Sequence, residues 1–135
     1  MTQSLFKLTS LNLNGVRSAS RKGLEEWVAK TAPDCMCVQE LKAQAGDIAG
    51  GLDAIAGMPG YFHFAEKKGY SGVGVYTRHE PSEVIAGFDH GEFDTEGRYV
   101  ELRFDTPKRK LSLISSYFPS GSSGELRQSA KFRFL

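Results

Sequence analysis

The sequence predicts an α/β fold, and two observations support this prediction. A strand pattern, a helix pattern and a second strand pattern follow one another within the first 40 residues, an order typical of two parallel strands joined by a right-handed helical crossover. From about residue 61 onward the chain reads as a succession of strands, each bounded by turn residues. A mixed sheet with helices on one face accommodates both patterns.

The first part of the chain justifies the strand–helix–strand unit. Alternating apolar residues predict a strand over 5–13, and residues 35–39 form a short apolar run typical of a buried strand. Between them, Ser20 is a plausible N-cap, and the Ala-Pro-Asp sequence at 32–34 ends the helix. The apolar positions of this helix recur at helical spacing: Leu24, Trp27, Val28 and Thr31.

The rest of the chain adds one weak helix and five strands. Residues 46–56 place apolar side chains on one face, although glycines weaken this helix prediction. The strands are predicted at 61–65, 73–78, 83–87, 98–105 and 110–118. After a Gly/Ser-rich loop, three apolar residues recur every four positions and predict a final amphipathic helix without a stop signal: Leu126, Ala130 and Phe134. We therefore expect residues 1–135 to be part of a longer sequence.

Composition indicates a soluble globular chain of at most one small domain. Hydrophobic residues make up 40% of the sequence and charged residues 24%, which are ordinary values. The net charge of +1 does not require an anionic partner, so contact with nucleic acid would depend on local basic groups such as those within 17–22, 67–68 and 108–110. No apolar run approaches the length of a membrane span, and we expect a cytoplasmic protein without membrane association.

The two cysteines are predicted to be buried thiols. Cys35 and Cys37 lie two positions apart on the second predicted strand, so both face the same side of the sheet. Two thiolates without a second pair of ligands do not form a structural zinc site. We therefore interpret them as small apolar residues in a reducing compartment.

Polar side chains follow the first two strands where each strand ends. Asn12 ends the first strand, and Glu40 comes directly after the second. If these strands are adjacent and parallel, both side chains lie at one edge of the sheet, where open α/β sheets bind ligands. Carboxylate and amide oxygens together with water suit a hard cation such as Mg²⁺. Taken alone, however, Glu40 is more simply explained as a solvated surface group.

Three further residues have both a structural and a functional interpretation. Asn14 belongs to an Asn-Gly turn dipeptide. Tyr117 ends another apolar strand, where its hydroxyl either remains solvated above a buried ring or donates to a phosphate oxygen. Arg98 opens a strand and is either a surface arginine or a group that neutralises a phosphate.

Five short motifs together resemble the exonuclease III branch of the endonuclease/exonuclease/phosphatase superfamily. Their order and spacing agree along essentially the whole chain, and five in register are far more specific than any one alone. They read LNGVRS at 13–18, PD at 33–34 followed by VQE at 38–40, GYSGVG at 69–74, EGR at 96–98 and YFP at 117–119.

The resemblance implies a four-layer α/β sandwich and magnesium-dependent cleavage of DNA phosphodiesters, with Mn²⁺ as an alternative metal. Members of that branch act on abasic sites and 3′ ends of duplex DNA in base-excision repair. The match implies metal-binding roles for Glu40 and Asn12, and contact between Tyr117 and the scissile phosphate. It also implies DNA contacts, or positions close to them, for a further set: Asn14, Arg17, Lys42, Tyr70 and Arg98.

The chain departs from that family by its length, since family members are roughly twice as long. Residues 1–135 therefore resemble the N-terminal half of the domain, with the second sheet largely absent and without the groups that align the attacking water. We expect the isolated fragment to be inactive and to self-associate through an uncovered apolar face, whereas the parent protein is expected to be a monomer. The alternatives are a phosphatase or phosphodiesterase acting on lipid or inositol phosphates, and a DNA-binding fragment without catalysis.

Overall fold

The computed structural model describes residues 5–88 and 91–119. This part of the chain contains eight strands and four short helices. In chain order they are β1 (Leu8–Asn12), α1 (Val16–Arg21), α2 (Leu24–Thr31), β2 (Cys35–Gln39), α3 (Ala45–Ile48), β3 (Ala54–Ile55), β4 (Met58–His63), β5 (Val73–Thr77), β6 (Glu83–Ala86), α4 (Gly91–Asp94), β7 (Tyr99–Asp105) and β8 (Lys110–Ser116).

The strands form two sheets. The larger sheet has the order β1-β2-β5-β4-β3; β1 and β2 are parallel, whereas β2–β5, β4–β5 and β3–β4 pair antiparallel. The smaller sheet is an antiparallel meander in the order β6-β7-β8. The mixed α/β architecture predicted from the sequence is thus confirmed, and three strands represent the second sheet that was expected to be largely absent.

Two apolar cores hold the layers together. One lies between the helices and the larger sheet, where Val16 and Val28 pack with Met36, Val38 and Tyr76. The other lies between the two sheets and contains Cys35, Cys37, Val73, Val75, Val100, Leu102 and Leu113. Because successive residues of a strand point to opposite faces, β2 contributes alternately to each core. All five of its residues are consequently withdrawn from solvent, fully or in part.

The predicted burial of the two cysteines is confirmed by this second core. Both thiols are free and buried, and Cys35 lies 3.1 Å from the hydroxyl of Thr77. Burial raises the pKa of Cys37 to about 11. A thiol with such a pKa stays protonated at neutral pH and is a poor nucleophile and metal ligand.

The predicted helix between the first two strands is in fact two helices. Ser20 is not an N-cap but lies within α1, and α2 begins after Gly23. Gly23 has φ 101°, in a region of backbone conformation that glycine enters without a Cβ penalty. The chain can therefore change direction between α1 and α2, and both helices bury apolar residues against the sheet.

The helices differ from the predictions in two further places. The helix predicted over 46–56 is limited to the four residues of α3, because the chain turns at Gly50 and Gly51 and then forms β3. The short helix α4 was not predicted. The final predicted helix, with Leu126, Ala130 and Phe134, lies outside the described residues. Within the described ranges, no helix has the length and apolar character needed to cross a membrane.

Candidate functional site

The parallel pair β1–β2 places Asn12 and Glu40 side by side. Asn12 is in register with Gln39, and the pairing continues past both strands: the amide of Leu13 donates to the carbonyl of Gln39 (2.9 Å) and that of Gly15 to the carbonyl of Glu40 (2.8 Å). Both residues therefore lie at the carboxyl edge of the larger sheet, where the sequence predicts them.

A tight turn orients the Asn12 side chain. Its Oδ1 accepts a 3.0 Å hydrogen bond from the backbone amide of Asn14, the geometry of an Asx-turn. Asn14 itself has φ 49°, a left-handed conformation that asparagine tolerates better than most residues. Asn14 therefore forms the predicted turn, and the same turn holds the Asn12 carboxamide at the sheet edge. A structural role for Asn14 and a functional role for Asn12 are thus compatible.

The segment after β2 has an unusual backbone that supports Glu40. Glu40 and Lys42 both have positive φ, 54° and 51°, which is costly for residues with a side chain. The amides of Leu41 and Lys42 donate to the carbonyls of Gly72 (3.0 Å) and Ser71 (2.8 Å), so the neighbouring segment holds this conformation. Strain maintained in this way is common at functional sites, and it leaves the Glu40 side chain 20% exposed while Leu41 is buried.

Lys42 lies beside the Glu40 carboxylate, and Arg17 is bound to Lys42. The ammonium of Lys42 donates a 2.6 Å hydrogen bond to Oδ1 of Asn14 and lies 3.8 Å from Glu40. Arg17 donates to the Lys42 carbonyl (2.9 Å) and comes within 3.7 Å of Asp47. Arg17 and Lys42 are thus joined to each other and to the sheet edge that carries Glu40.

Tyr117, which belongs to the smaller sheet side of the molecule, lies near Glu40. It follows β8 directly, and its amide donates to the carbonyl of Arg98 (3.0 Å). Burial, and then the nearby Glu40 carboxylate, raise the pKa of the Tyr117 hydroxyl, while Arg98 opposes the shift. The phenol therefore keeps its proton at neutral pH and remains a hydrogen-bond donor beside Glu40.

Arg98 is buried, so its interpretation as a surface arginine is wrong. Its side chain is only 1% exposed, and Nε donates to Glu96 at 2.6 Å. Nη1 donates to the carbonyl of Tyr117 (3.0 Å) and Nη2 to the hydroxyl of Tyr70 (2.8 Å). The guanidinium also lies near both rings, 5.8 Å from the centroid of Tyr70 and 5.1 Å from that of Tyr117.

The sequence did not single out Gln39, which connects the two sheets beneath this edge. Its Nε2 lies 3.1 Å from the hydroxyl of Ser115 and 3.5 Å from that of Ser10. Ser115 is buried and donates to the carbonyl of Val38 (2.8 Å). The available signal was the position of Gln39, a polar residue at the end of an otherwise apolar strand and directly before Glu40.

Polar depressions flank the edge of the sheet that carries Glu40, whereas the cavity at the far end of the molecule is largely apolar. One is lined by Arg17, Gln44, Gly46, Asp47, Lys68 and Gly69, and another by Glu66, Lys67, Tyr70, Thr95 and Glu96. A larger apolar cavity lies beside Phe6 and His79, near the opposite end of β2. We place the site at the polar edge because charge and strand ends converge there, whereas cavity size alone does not indicate chemistry.

The donor set at this edge fits a magnesium ion that keeps most of its water. In residues 5–88 and 91–119, no three His, Cys, Asp or Glu side chains cluster as a metal site would require. Glu40 and Asn12 nevertheless place a carboxylate and a carboxamide, both with hard oxygen atoms, at the same edge of the larger sheet. Mg²⁺ is commonly bound through one or two carboxylates, with waters and substrate phosphates completing its octahedron.

Comparison with known proteins identifies the class. Residues 9–133 match the model of the Endonuclease/Exonuclease/phosphatase family, and the chain belongs to that family. Among curated relatives, it is 35% identical over 127 residues to "DNA repair nuclease APEX1" of Danio rerio, and 34% identical over 120 residues to "Exodeoxyribonuclease" of Bacillus subtilis. These alignments cover 90% and 88% of this chain, but only 39% and 45% of the two relatives.

A solved structure agrees with both the fold and the family. The catalytic domain of Xenopus laevis APE2 superposes with a TM-score of 0.77 at 26% identity, covering 95% of this chain and 50% of that one. The chain thus spans less than half the length of the curated relatives named above, and about half of the solved domain.

Proposed function

We propose that this chain forms part of a magnesium-dependent DNA phosphodiester hydrolase of base-excision repair, similar to exodeoxyribonuclease III. The observation that carries the proposal is the meeting of Glu40 from the larger sheet with Tyr117 from the smaller sheet, beside Asn12. The names of the relatives, a DNA repair nuclease and an exodeoxyribonuclease, support DNA as the substrate class. We further propose that the substrate is duplex DNA with abasic sites or 3′ ends.

Each residue at the edge has a proposed role. Glu40 and Asn12 would hold Mg²⁺, which when bound supplies Lewis-acid stabilisation of the phosphate. The Tyr117 hydroxyl would donate a hydrogen bond to a non-bridging phosphate oxygen, where negative charge increases as the phosphorus–oxygen bond breaks. Because Tyr117 keeps its proton beside Glu40, it is already a donor before the substrate arrives.

The basic groups around the edge suit a phosphate backbone. Arg17 is 48% exposed and Lys42 39% exposed, so both can reach an external anion. Lys67 lies 5.2 Å from the centre of the Tyr70 ring and adds positive charge at the second of the two depressions. Such contacts position the duplex and make binding depend on salt.

We propose that the base which aligns the attacking water comes from residues outside the described ranges. Two carboxylates that flank the edge already have cationic partners: Asp47 lies 3.7 Å from Arg17, and Glu96 lies 2.6 Å from buried Arg98. Loss of a general base typically costs about 10²–10⁴-fold in rate. Residues 5–119 alone would therefore be a very weak catalyst, and any test of activity needs the whole gene product, with whatever sequence lies outside 1–135.

An incision assay tests this function. The whole gene product is incubated with a duplex carrying one abasic site and, separately, with an inositol phosphate, each with Mg²⁺ or EDTA. We expect Mg²⁺-dependent incision of the DNA, its loss in Glu40→Gln, and its retention in the matched surface control Glu26→Gln. Phosphate release from the inositol substrate alone would favour the lipid-phosphate alternative. DNA binding without cleavage under either condition would favour a non-catalytic role.

A further inference from the structure

We infer that Arg98 is a positioning residue that fixes Tyr117 and Tyr70, and that it does not itself bind a DNA phosphate. This inference rests on the proposed function for its catalytic consequence, although the contacts that carry it are independent of any substrate. The resemblance placed Arg98 at or near a DNA-contacting position, whereas the structure gives each of its three guanidinium nitrogen atoms a protein partner.

Burial separates the Arg98 guanidinium from external anions. The Arg98 side chain is 1% exposed, and Arg98 is the largest of the fully buried side chains in the described part of the chain. A guanidinium withdrawn from water needs charged and polar partners to offset its desolvation. Glu96 supplies the charge at 2.6 Å, so a phosphate is not needed to neutralise Arg98 and could not reach it without rearrangement.

The contacts of the guanidinium hold it in one orientation. A guanidinium presents its donors in a rigid planar fork, and here three of its nitrogen atoms bind three different groups. Nε binds Glu96, Nη1 binds the carbonyl of Tyr117, and Nη2 binds the hydroxyl of Tyr70. The Tyr117 amide in turn donates to the Arg98 carbonyl at 3.0 Å, so both the amide and the carbonyl of Tyr117 are bound to Arg98, one to its main chain and one to its side chain.

Arg98 also contacts the rings of two tyrosines. The guanidinium lies 5.1 Å from the centre of the Tyr117 ring and 5.8 Å from that of Tyr70, within the range of favourable cation–π contact. The backbone of Tyr117 and one face of its ring are thus set by the same side chain. Removal of the guanidinium leaves the phenol beside Glu40 without a fixed direction.

The segment before Arg98 strengthens this arrangement. The carbonyl of Gly97 accepts hydrogen bonds from the amide of Gly72 (3.0 Å) and the hydroxyl of Ser71 (3.2 Å). Ser71 and Gly72 are the residues whose carbonyls hold the backbone after β2, next to Glu40. Arg98 therefore sits where the supports of Glu40 and of Tyr117 meet.

The test compares Arg98→Met with Tyr117→Phe and with the double variant in the whole gene product. Loss of a supporting contact of this kind typically costs about 10–100-fold in activity. We expect a fall of that size in kcat, little change in KM, and a double variant no slower than Tyr117→Phe alone. Arg103→Met, which removes an ion-paired arginine of β7, is the matched control and should keep full activity.

Two readouts separate positioning from DNA contact and from general stability. The slope of log affinity for DNA against log salt should be unchanged in Arg98→Met; a reduction of about one unit with normal kcat, as expected for loss of one phosphate contact, would overturn the inference. Protein labelled with 3-fluorotyrosine should show a shifted or broadened Tyr117 fluorine signal in Arg98→Met and an unchanged signal in Arg103→Met.

The fluorine readout also keeps the inference testable if the proposed function fails. Wild-type protein without incision activity would refute the nuclease assignment, yet an altered Tyr117 signal in Arg98→Met would still support positioning. If Arg98→Met does not fold, Glu96→Gln removes only the charge that pairs with the guanidinium. A Tyr117 signal identical to wild type in Glu96→Gln would then contradict the inference.

Discussion

The ammonium of Lys42 donates a 2.6 Å hydrogen bond to Oδ1 of Asn14, and so joins the segment after β2 to the segment after β1. The same ammonium lies 3.8 Å from the Glu40 carboxylate. A cation built into the protein therefore stands beside the carboxylate proposed to hold a metal ion. Because like charges repel, Lys42 should weaken metal binding at Glu40 while it favours an approaching phosphate.

Replacement of Lys42 by methionine should consequently tighten metal binding. One unit charge a few ångströms away in a largely solvated setting is worth on the order of 1 kcal/mol, so we expect the affinity for Mn²⁺ to rise about threefold to tenfold. Titration of the whole gene product with Mn²⁺, followed by electron paramagnetic resonance, measures this directly. Lys108→Met, at an exposed turn, is the matched control, and equal or weaker Mn²⁺ binding in Lys42→Met would refute the expected repulsion.

Tyr117→Phe should reduce turnover much more than substrate binding. The substitution removes a single donor directed at the phosphate, and loss of one such donor typically costs about 10²–10³-fold in kcat. Single-turnover incision rates, measured beside DNA affinity, separate the two effects. Tyr99→Phe removes a hydroxyl that donates to Glu101 at 2.7 Å, away from the site, and should leave the incision rate near that of wild type. Equal losses in both variants would point to a general effect of tyrosine removal.

Gly97→Ala should destabilise the protein strongly. Gly97 has φ +61°, and an added Cβ would lie 2.6 Å from the backbone carbon of Phe64, an atom that cannot move aside cheaply. Overpacking together with the left-handed conformation should cost at least about 2 kcal/mol of unfolding free energy. Gly57 also has positive φ but open space around it, so Gly57→Ala should cost only about 1 kcal/mol. Urea denaturation of the two variants tests the difference.

Asp34 should make stability depend on pH at the end of the molecule opposite the site. A hydrogen bond from the Lys7 amide at 2.7 Å, and then one with His79 at 3.0 Å, hold the pKa of Asp34 below its usual range. A carboxylate with a lowered folded-state pKa contributes stability above its unfolded value of about 3.9, and this contribution is lost as the pH falls through the folded value.

The stability difference between wild type and Asp34→Asn should therefore be large at pH 7 and shrink below about pH 4. Urea unfolding at a series of pH values measures it, with Asp105→Asn at the exposed end of β7 as the control. A difference between wild type and Asp34→Asn that stays constant from pH 7 to pH 3 would show that the Asp34 charge does not contribute to stability.

The sequence predicted the elements whose signals are local. The buried run at 35–39 corresponds to β2 without change of bounds, and the alternating stretch at 98–105 corresponds closely to β7. Glycine limited the helix predictions, because Gly23 divides one predicted helix and Gly50 ends another. Helical periodicity alone does not indicate where a backbone will leave the helical region.

The sequence by itself determined which side chains end the strands, and because β1 and β2 pair in parallel, that was enough to predict that Asn12 and Glu40 lie at the same edge of the sheet. Only the tertiary structure decided the surroundings of Tyr117 and Arg98. Their partners come from a second sheet and from segments far away along the chain. Local sequence periodicity therefore does not predict these contacts. The packing of one sheet on the other buried Arg98 and placed Tyr117 near Glu40. Because the buried guanidinium is bound to neighbouring protein groups, its inferred role is to position them.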